Sequence, residues 1–421
     1  KFLIHEKKYF YSTLVLSKRV NRSMTNIYEQ LGVPTIINAK GPATRLSGGV
    51  MPKEVSKAME EASQYCVDMT ELQTRASTII SEITGAEAGY VTSGAAAGLM
   101  LGTAACVTRL DPTKMNRLPD TSGMRNEVIV VRSQRNFYDH AVRTVGVKMV
   151  EVGLSDRYSG AGVRDAEAWE IADAINENTA CIFYVANYRS RPFLNEVTEV
   201  AHASNIPVLV DAAAQIPPVE NLRSFINEGA DLVAFSGGKA INGPQGSGFL
   251  CGRKDLVASA GLQHLDQDMF FEQWLPSPGL FNKSQLKGLP HHGIGRVCKV
   301  GKEQLVGLLV ALRLFAEDSI QEQYQKNLVF LNSIIDKLDP KFKLLVEIVR
   351  APDSEEPLLY FRADTNEIDS AINILLHLER RKPSIHCDSS RVHEGIIIIN
   401  ASCLKPEDPE SIARGLNELK K

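Results

Sequence analysis

An aspartate stands at the end of the apolar run Val208-Leu209-Val210-Asp211. In open α/β sheets ligands bind at the carboxyl ends of strands, so this acid lies where chemistry is expected. A buried carboxylate needs a cationic partner. The protonated ring nitrogen of a pyridine cofactor would be such a partner, and the ion pair would make the ring an electron sink. The alternative is that Asp211 caps the alanine-rich turn after the strand.

A lysine follows Asp211 by 28 residues in the glycine-rich segment Phe235-Ser236-Gly237-Gly238-Lys239. It lies just beyond a second apolar run. A lysine packed against a flat cofactor can form an imine with it, and can serve as acid or base once a substrate amine displaces it. The alternative is an ordinary surface lysine in a flexible loop, because lysine side chains are mostly exposed.

A turn of small residues, Ser93-Gly94-Ala95, joins the run 89–92 to an alanine-rich segment. A helix N-terminus presents free N–H groups and the positive end of a dipole, which suits a phosphate, and Ser93 can add a hydroxyl. The turn lacks the Walker A and Gly-x-Gly-x-x-Gly patterns, so it does not indicate a dinucleotide site. A tight turn before a well-packed helix is the alternative.

Strand-like and helix-like segments alternate from about residue 85, and they must position these three features. Short runs rich in β-branched residues predict seven buried strands, at 89–92, 127–131, 148–152, 180–185, 207–210, 231–235 and 248–251. Helical spacing predicts helices at 95–107, 138–145, 166–175 and 194–203. The alternation predicts an α/β fold with a mostly parallel seven-stranded sheet. No long helix separates the last two strands, which predicts at least one antiparallel pairing.

Two irregular stretches and a second group of elements complete the chain. Residues 110–125 are expected to form an exposed loop, and residues 264–295 a second, functional one. Helices at 302–317, from about 320 and at 367–380, with apolar runs at 343–349, 358–362 and 395–399, predict a smaller α+β domain. We therefore assign 25–300 to an N-terminal segment and a large cofactor-binding domain, and 301–421 to a linker helix and a small C-terminal domain.

Five phrases together resemble the family of bacterial selenocysteine synthase (L-seryl-tRNA selenium transferase). They are Asn38-Ala39-Lys40-Gly41 and the segments 91–98, 211–218, 235–239 and 295–303. They look closer still to the small-molecule relatives typified by D-glucosaminate-6-phosphate ammonia-lyase. The resemblance covers about residues 25 to 320 and weakens over the final hundred. The order of phosphate turn, strand-end aspartate and lysine is that of fold-type I enzymes that use pyridoxal 5′-phosphate (PLP).

The resemblance implies a role for each residue of this constellation. Lys239 carries PLP as a Schiff base, and Asp211 faces the pyridine nitrogen. The phosphate is held by Ser93, Gly94 and Ala95, with Ser236 as a further ligand. A homo-oligomer with shared active sites is also implied, and the 264–295 loop is a candidate for reaching a neighbouring subunit.

The residue that stacks on the cofactor ring departs from the family pattern. Many relatives place a histidine or an aromatic ring in the loop after the strand at 128–131. Gln134 occupies that position here, and Tyr138 and His140 are nearby substitutes. This difference leaves the ring contact and the reaction open.

Three cationic residues are candidates for binding a substrate carboxylate or phosphate: Arg45, Arg296 and Lys299. A guanidinium matches a carboxylate with two parallel hydrogen bonds. The alternative for each is a solvated or ion-paired surface residue. The pair His291-His292 has no third ligand at metal spacing, so we predict no metal site.

The composition of the chain limits the classes of protein to which it can belong. The 421 residues carry a formal net charge of −3, with 44% apolar and 23% charged residues. This balance gives no basis for binding nucleic acid or an acidic membrane surface. No apolar run reaches the roughly 18 residues of a membrane span. The seven scattered cysteines indicate neither a disulfide framework nor a zinc site, and we expect reduced thiols in a cytoplasmic protein.

The first 24 residues differ from the rest in charge. They hold six Lys and Arg residues against the single acid Glu6. A transit-like peptide is one interpretation. We favour a translated leader upstream of Met24 and exclude this basic extension from the fold.

These observations favour a PLP-dependent lyase that acts on a small amino acid or amino sugar acid by α,β-elimination and deamination. The first alternative is a selenocysteine synthase-like transferase or another β-replacement enzyme. Racemase, aldolase and aminotransferase chemistry begin from the same adduct and stay open. The alternative of another class is a non-catalytic binding protein that retains the fold.

Overall fold

A computed structural model describes residues 26–154, 165–317, 320–343, 345–351, 356–363 and 368–419. The predicted basic extension at 1–24 lies outside them. The described strands are β1 (Ile36–Ala39), β2 (Ala88–Thr92), β3 (Glu127–Val131), β4 (Lys148–Val152), β5 (Thr179–Val185), β6 (Val208–Asp211), β7 (Leu232–Ser236), β8 (Gly248–Gly252), β9 (Val346–Arg350), β10 (Pro357–Arg362), β11 (Ser384–Cys387) and β12 (Ile396–Asn400).

The helices surround these strands. They are α1 (Ile27–Gln30), α2 (Lys53–Ser63), α3 (Met69–Thr84), α4 (Ala95–Thr108), α5 (Pro112–Arg117), α6 (Asp139–Arg143), α7 (Ala168–Ala174), α8 (Leu194–Ala203), α9 (Asn221–Asn227), α10 (Lys254–His264), α11 (Lys302–Glu317), α12 (Ile320–Asp336), α13 (Pro340–Lys343), α14 (Ile368–Glu379) and α15 (Asp408–Asn417). Short 3₁₀ turns occur at Thr44–Leu46, Arg132–Gln134, Lys283–Gln285, Ile294–Cys298, Val392–Glu394 and Ala401–Cys403. No described helix is long and apolar enough to cross a membrane.

The large domain is built on a seven-stranded sheet in the order β2-β8-β7-β6-β5-β3-β4. Strand β8 runs antiparallel to both of its neighbours, and the other pairings are parallel. The predicted mostly parallel seven-stranded sheet is therefore confirmed, with an antiparallel pairing of the last two strands. The physical reason is the short 237–247 connection, which is not long enough for the crossover helix that a parallel pair needs.

Helix α4 is the central helix of this domain. Every residue in it except Ala96 is buried, because Ala, Gly and other small residues let the sheet and α10 approach it closely. Gly98 lies against Ala234, where an added Cβ would come within 3.3 Å of that side chain. A helix packed on all sides cannot shift easily. Its N-terminus is therefore held in a fixed position at the edge of the sheet.

The expected loop at 110–125 is partly wrong, because it contains helix α5. The Asp111 side chain accepts a hydrogen bond from the Thr113 backbone N–H at 2.9 Å, and Pro112 stands in the first turn. Met115 and Met124 are buried. Aspartate before proline is a helix-start pattern, and this pattern decides the local structure. The 264–295 stretch is irregular as expected.

The small domain combines both ends of the chain. Its antiparallel sheet has the order β12-β10-β9, and β1 pairs in parallel with β11. Ile37 and Ala39 of β1 lie in the core of this domain. The sequence predicts an N-terminal segment that is grouped with the large domain at 25–300, whereas the pairing joins residues 36–39 to the small domain. The division near residue 300 stays a prediction.

Gln73 protects the outer edge of the large sheet. Strand β2 lies at that edge, so one side of its backbone has no partner strand. The buried Gln73 amide replaces the missing strand at Val91: it donates to the carbonyl at 2.9 Å and accepts from the N–H at 3.0 Å. The Ser77 hydroxyl accepts from the Gly89 N–H at 3.0 Å. These contacts fix β2 two residues before Ser93.

We expect Gln73→Leu to lower the free energy of unfolding by about 2–4 kcal/mol, because two buried backbone groups lose their partners. Urea unfolding of the full chain measures this loss. Thr78→Ala, an exposed site on the same helix, should change stability by less than about 0.5 kcal/mol. Equal effects of the two substitutions would contradict the role given to Gln73.

Candidate active site

The three features singled out from the sequence meet at one edge of the sheet. Strands β2 and β7 are both antiparallel to β8, so they run in the same direction, and β6 is parallel to β7. The carboxyl ends of β2, β6 and β7 therefore face the same side. Ser93 follows β2, Asp211 ends β6, and Lys239 follows β7. This is the edge at which open α/β sheets bind their ligands.

Asp211 is a buried carboxylate, with 8% of its surface exposed. One oxygen accepts a hydrogen bond from the Ala213 backbone N–H at 3.0 Å, so the residue does cap the following turn. Burial raises the pKa of this carboxyl, whereas the Ala213 N–H and the positive charge of Lys239 lower it. Within the described residues no cation lies within 4 Å of it. The carboxylate therefore retains the capacity to bind a cationic ligand.

Lys239 is half-buried in a loop whose backbone is closely hydrogen-bonded. The Gly237 N–H donates to the Ser247 carbonyl at 2.8 Å, and the Asn242 N–H donates to the Lys239 carbonyl at 2.9 Å. Burial lowers the pKa of the Lys239 amine, and the charge of Asp211 raises it in part. A neutral amine is the form that attacks a carbonyl. The backbone at Lys239 is thus held in place, and its amine is more readily neutral than that of a lysine in a flexible surface loop.

The turn after β2 is open toward its outer side. Gly94 has φ +112, and an added Cβ there would meet no atom within 4 Å. Helix α4 begins at the next residue, so its free N–H groups lie beside this space. Gly248 packs against the turn, and an added Cβ would come within 2.6 Å of the Gly94 carbonyl carbon. Ser236 is the strand partner of Gly248, which brings a second hydroxyl to the same region.

These features fit PLP. The buried carboxylate suits the ring nitrogen, the half-buried amine suits the aldehyde, and the open helix N-terminus suits the phosphate. The fit rests on residues from three strand ends that lie far apart in the sequence.

Gln134 occupies a different environment from the other predicted cofactor ligands. It is 5% exposed; its amide oxygen accepts from the Val185 N–H at 2.9 Å, and its amide nitrogen donates to the Arg191 carbonyl at 3.4 Å. Val185 is the strand partner of Asp211. Gln134 thus fixes the backbone beside Asp211, and its stacking on a ring stays a prediction. Tyr138 and His140 are exposed.

The predicted cations are divided between two places. Arg45 lies in a turn next to the Lys239 loop, where the Gln245 side chain donates to the Thr44 hydroxyl at 3.1 Å. The Arg45 side chain is 66% exposed, and its guanidinium is 3.9 Å from Glu379. Arg296 and Lys299 line a separate cavity of about 660 Å³. Lys302, which the sequence did not single out, lines the same cavity.

A buried hydrogen-bond chain joins this cavity to the phosphate turn, and the sequence did not predict it. The Tyr90 hydroxyl lies 2.8 Å from Nδ1 of His264, and Nε2 of His264 lies 3.1 Å from the Cys298 carbonyl. The Ser93 hydroxyl donates to the same carbonyl at 2.7 Å. Tyr90 and His264 are 174 residues apart, so no local spacing could have revealed the contact. Within the described residues no cluster of three His, Cys, Asp or Glu side chains could hold a metal.

Comparison with known proteins gives the same picture. The family model SelA, L-seryl-tRNA selenium transferase, matches residues 44–269. D-glucosaminate-6-phosphate ammonia lyase from Salmonella typhimurium is 30% identical over 401 residues, or 93% of this chain and 94% of that protein. 5'-C-glycyluridine monooxygenase-decarboxylase from Streptomyces sp is 29% identical over 94% of this chain and 92% of that protein.

A solved structure extends the likeness to three dimensions. The structure of D-glucosaminate-6-phosphate ammonia-lyase superposes with a TM-score of 0.76 at 28% identity, covering 94% of this chain and 98% of that one. The predicted family, fold type and cofactor are therefore confirmed. The chain belongs to the SelA (L-seryl-tRNA selenium transferase) family, and it is a PLP-dependent enzyme of fold type I.

Proposed function

We propose that this enzyme is a lyase that removes ammonia from a small amino acid or amino sugar acid by α,β-elimination. The observation that carries the proposal is the 30% identity to an ammonia lyase over nearly the full length of both chains. The constellation of Asp211, Lys239 and the phosphate turn supports it, together with the cation-lined cavity. The net charge of −3 favours a small substrate over a tRNA.

The proposed cofactor ligands are the predicted ones. Lys239 would link to the aldehyde, and Asp211 would bind the ring nitrogen. The phosphate would be held at the helix N-terminus by the backbone of Ser93, Gly94 and Ala95 and by the Ser236 hydroxyl, since the Ser93 hydroxyl donates its hydrogen to the Cys298 carbonyl. Bound PLP supplies an electron sink that makes a bond at the substrate's amine-bearing carbon easier to break.

The residues of the chain then divide the remaining work. Asp211 would hold the proton on the ring nitrogen, because an ion pair is stronger in this buried place than in water. The Nζ of Lys239 would take the α-proton of the substrate and would deliver a proton to the departing β-hydroxyl. The unsaturated amine that leaves is hydrolysed to a keto acid and ammonia.

The cavity lined by Arg296, Lys299 and Lys302 would bind the anionic end of the substrate. Arg296 donates to Asp266 at 2.9 Å and to the His264 carbonyl at 3.2 Å, and these contacts orient its guanidinium. Lys299 is exposed and has no carboxylate within 4 Å in the described part of the chain. The cavity thus offers a carboxylate or phosphate the free ammonium of Lys299 and an oriented guanidinium that is already paired with Asp266, which also lines the cavity. Arg45, in the turn beside the Lys239 loop, would be a further contact for the substrate.

We also propose a homo-oligomer whose subunits complete each other's active sites. The 264–295 loop exposes Phe270 and Leu275 by 75% and 81%, and its Met269, 45% exposed, lines the cation cavity. Large exposed apolar side chains beside a site are typical of an interface. The seven free cysteines support a location in the reducing cytoplasm.

A decarboxylase is the second candidate, because the Streptomyces relative is nearly as similar. It would use the same cofactor ligands and break a different bond at the same carbon. A transferase that adds a nucleophile after elimination is the third candidate, and it rests on the family match.

Replacement of Lys239 by alanine should abolish the covalent attachment of PLP, because no other amine lies at that position. We expect wild-type protein loaded with PLP to absorb in the visible region, and borohydride to fix the cofactor to the peptide containing Lys239. Mass spectrometry of the reduced digest measures this. Lys254→Ala, at an exposed lysine, should behave as wild type. Fixation of the cofactor in the Lys239→Ala protein at another lysine would contradict the assignment.

Replacement of Asp211 by asparagine should stabilise the apoprotein but weaken cofactor binding. Burial raises the folded-state pKa of Asp211, so wild-type stability falls as pH rises through that pKa, and the asparagine variant avoids the loss. We expect a gain on the order of 1 kcal/mol at neutral pH, which disappears below about pH 4. PLP affinity should fall about tenfold or more, because the ring nitrogen loses its anionic partner.

Thermal unfolding of the apoprotein at several pH values and a spectroscopic PLP titration measure the two effects. Asp268→Asn, at an exposed site, is the control and should change neither quantity. An asparagine variant that is destabilised at neutral pH and binds PLP like wild type would contradict the role of Asp211.

A substrate panel tests the function itself. We expect holoenzyme to release ammonia and keto acid in equal amounts from amino sugar acids or β-hydroxy amino acids, and to favour substrates with a second anionic group. Arg296→Gln should raise KM for such substrates about ten- to a hundredfold with little change in kcat, because the contact is equal in the ground and transition states. Arg414→Gln, at an exposed helix ion pair, is the matched control.

Each other product pattern favours a different candidate. Release of carbon dioxide without ammonia would favour the decarboxylase over the lyase. Activity only with an added nucleophile would favour the transferase. PLP binding without turnover of any amine would favour the non-catalytic alternative.

A further inference from the structure

We propose that Tyr90 and His264 are a buried pair of positioning residues that holds the phosphate turn and the cation cavity in their active arrangement. The inference rests on the function proposed above. It assigns a role in the same site to two residues that are not among the proposed ligands of the cofactor or the substrate. The contacts among five residues carry it: Ser93, Tyr90, His264, Arg296 and Cys298.

The Cys298 carbonyl is the point where the two sites meet. It accepts hydrogen bonds from the Ser93 hydroxyl at 2.7 Å and from Nε2 of His264 at 3.1 Å. Ser93 belongs to the phosphate turn, and Cys298 ends the 3₁₀ turn Ile294–Cys298, which contains Arg296. A shift of this 3₁₀ turn would therefore move two groups together. One is the Cys298 carbonyl that accepts from the Ser93 hydroxyl, and the other is the Arg296 guanidinium in the cavity.

His264 binds the same 3₁₀ turn a second time through its backbone. Its carbonyl accepts from the Arg296 guanidinium at 3.2 Å, and its side chain lines the cavity. It is the last residue of α10, which packs against α4 and against the 3₁₀ turn itself. One residue thus connects a rigid helix with both the backbone and the side chain of the anion-binding segment.

The hydrogen positions in this chain follow from the partners. The Cys298 carbonyl can only accept, so Nε2 of His264 must carry a hydrogen. Burial lowers the pKa of His264 to about 4, so the ring is neutral and Nδ1 has no hydrogen. Nδ1 must therefore accept from the Tyr90 hydroxyl, whose pKa burial raises. The donor and acceptor of each hydrogen bond are thus determined, and both bonds point the same way, from Tyr90 to His264 and from His264 to the Cys298 carbonyl.

Tyr90 determines the orientation of the imidazole. Its ring is fully buried in β2 and meets the His264 ring edge-on, with centroids 5.4 Å apart. Without the hydroxyl, Nδ1 would be a buried acceptor without a donor, and the ring would gain from any rotation that finds one. Such a rotation would move Nε2 away from the Cys298 carbonyl. The tyrosine hydroxyl thus acts on the site through the histidine.

Two measurements separate positioning from simple stabilisation. The first is the dissociation constant of PLP from the apoenzyme. The second is the dissociation constant of inorganic sulfate from the holoenzyme by calorimetry, where PLP already occupies the phosphate turn and sulfate reports on the cavity. We expect Tyr90→Phe to weaken both about tenfold, the effect of one buried hydrogen bond and the misalignment it prevents. Thermal unfolding of each variant gives its stability separately.

Matched variants at His264 test the direction of the chain. His264→Gln keeps an N–H near the position of Nε2 and should restore both constants to within about threefold of wild type. His264→Asn places its amide nearer to Nδ1, cannot reach the Cys298 carbonyl, and should weaken both like Tyr90→Phe. Tyr360→Phe removes the hydroxyl of a buried tyrosine in the small domain, and it should leave both constants unchanged.

Three outcomes would overturn the proposal. Tyr90→Phe could leave both constants within twofold of wild type at lowered stability, and the pair would then be structural only. It could weaken only one, and the pair would then not connect the two sites. Equal losses in His264→Gln and His264→Asn would remove the role of Nε2. If wild-type protein binds no PLP, the proposed function fails first, and this inference fails with it.

Discussion

The active site depends on one energetic constraint, the burial of a carboxylate at the end of an apolar strand. Asp211 has one backbone hydrogen bond and, among the described residues, no cation within 4 Å. An ionised group in this place destabilises the empty protein. In the proposed arrangement a cationic ring nitrogen would remove that cost, so part of the free energy of cofactor binding would come from the buried charge of the empty site. Burial also lowers the pKa of Lys239, which raises the neutral fraction of its amine.

The burial of the Asp211 carboxylate stays costly only if the surrounding backbone cannot move to relieve it. Helix α4 is buried on nearly every side, Gly248 packs directly on the phosphate turn, and Gln73 replaces a missing strand at the sheet edge. Gln134 restricts the backbone beside Asp211, because its amide oxygen accepts from the Val185 N–H at the end of β5. In each case a polar side chain or a close backbone contact restricts movement near the site. The contacts that stabilise the large domain therefore also fix the geometry of the site.

The sequence predicts those parts of the molecule that depend on local pattern. The seven strand runs, the strand-end Asp211 and the glycine-flanked Lys239 each follow from a few neighbouring residues. Features that depend on distant partners were not predicted. Strand β1 pairs with β11 across more than three hundred residues, and the contact between Tyr90 and His264 spans 174. Helix α5, in contrast, is encoded locally, because Asp111 caps its first turn and Pro112 begins it.

The proposed cofactor site and the proposed substrate cavity are built from different parts of this chain. The proposed cofactor ligands come from the ends of β2, β6 and β7, whereas the cavity cations Arg296, Lys299 and Lys302 come from the irregular segment before α11 and its first turn. Among the described residues the two groups are joined at the Cys298 carbonyl and by the packing of α4 and α10 on the 3₁₀ turn. Substitutions in the cavity can therefore alter which anionic group is bound and leave the strand ends intact. Such a separation lets one fold host different activities, and the relatives of this chain are named as a lyase, a decarboxylase and a transferase.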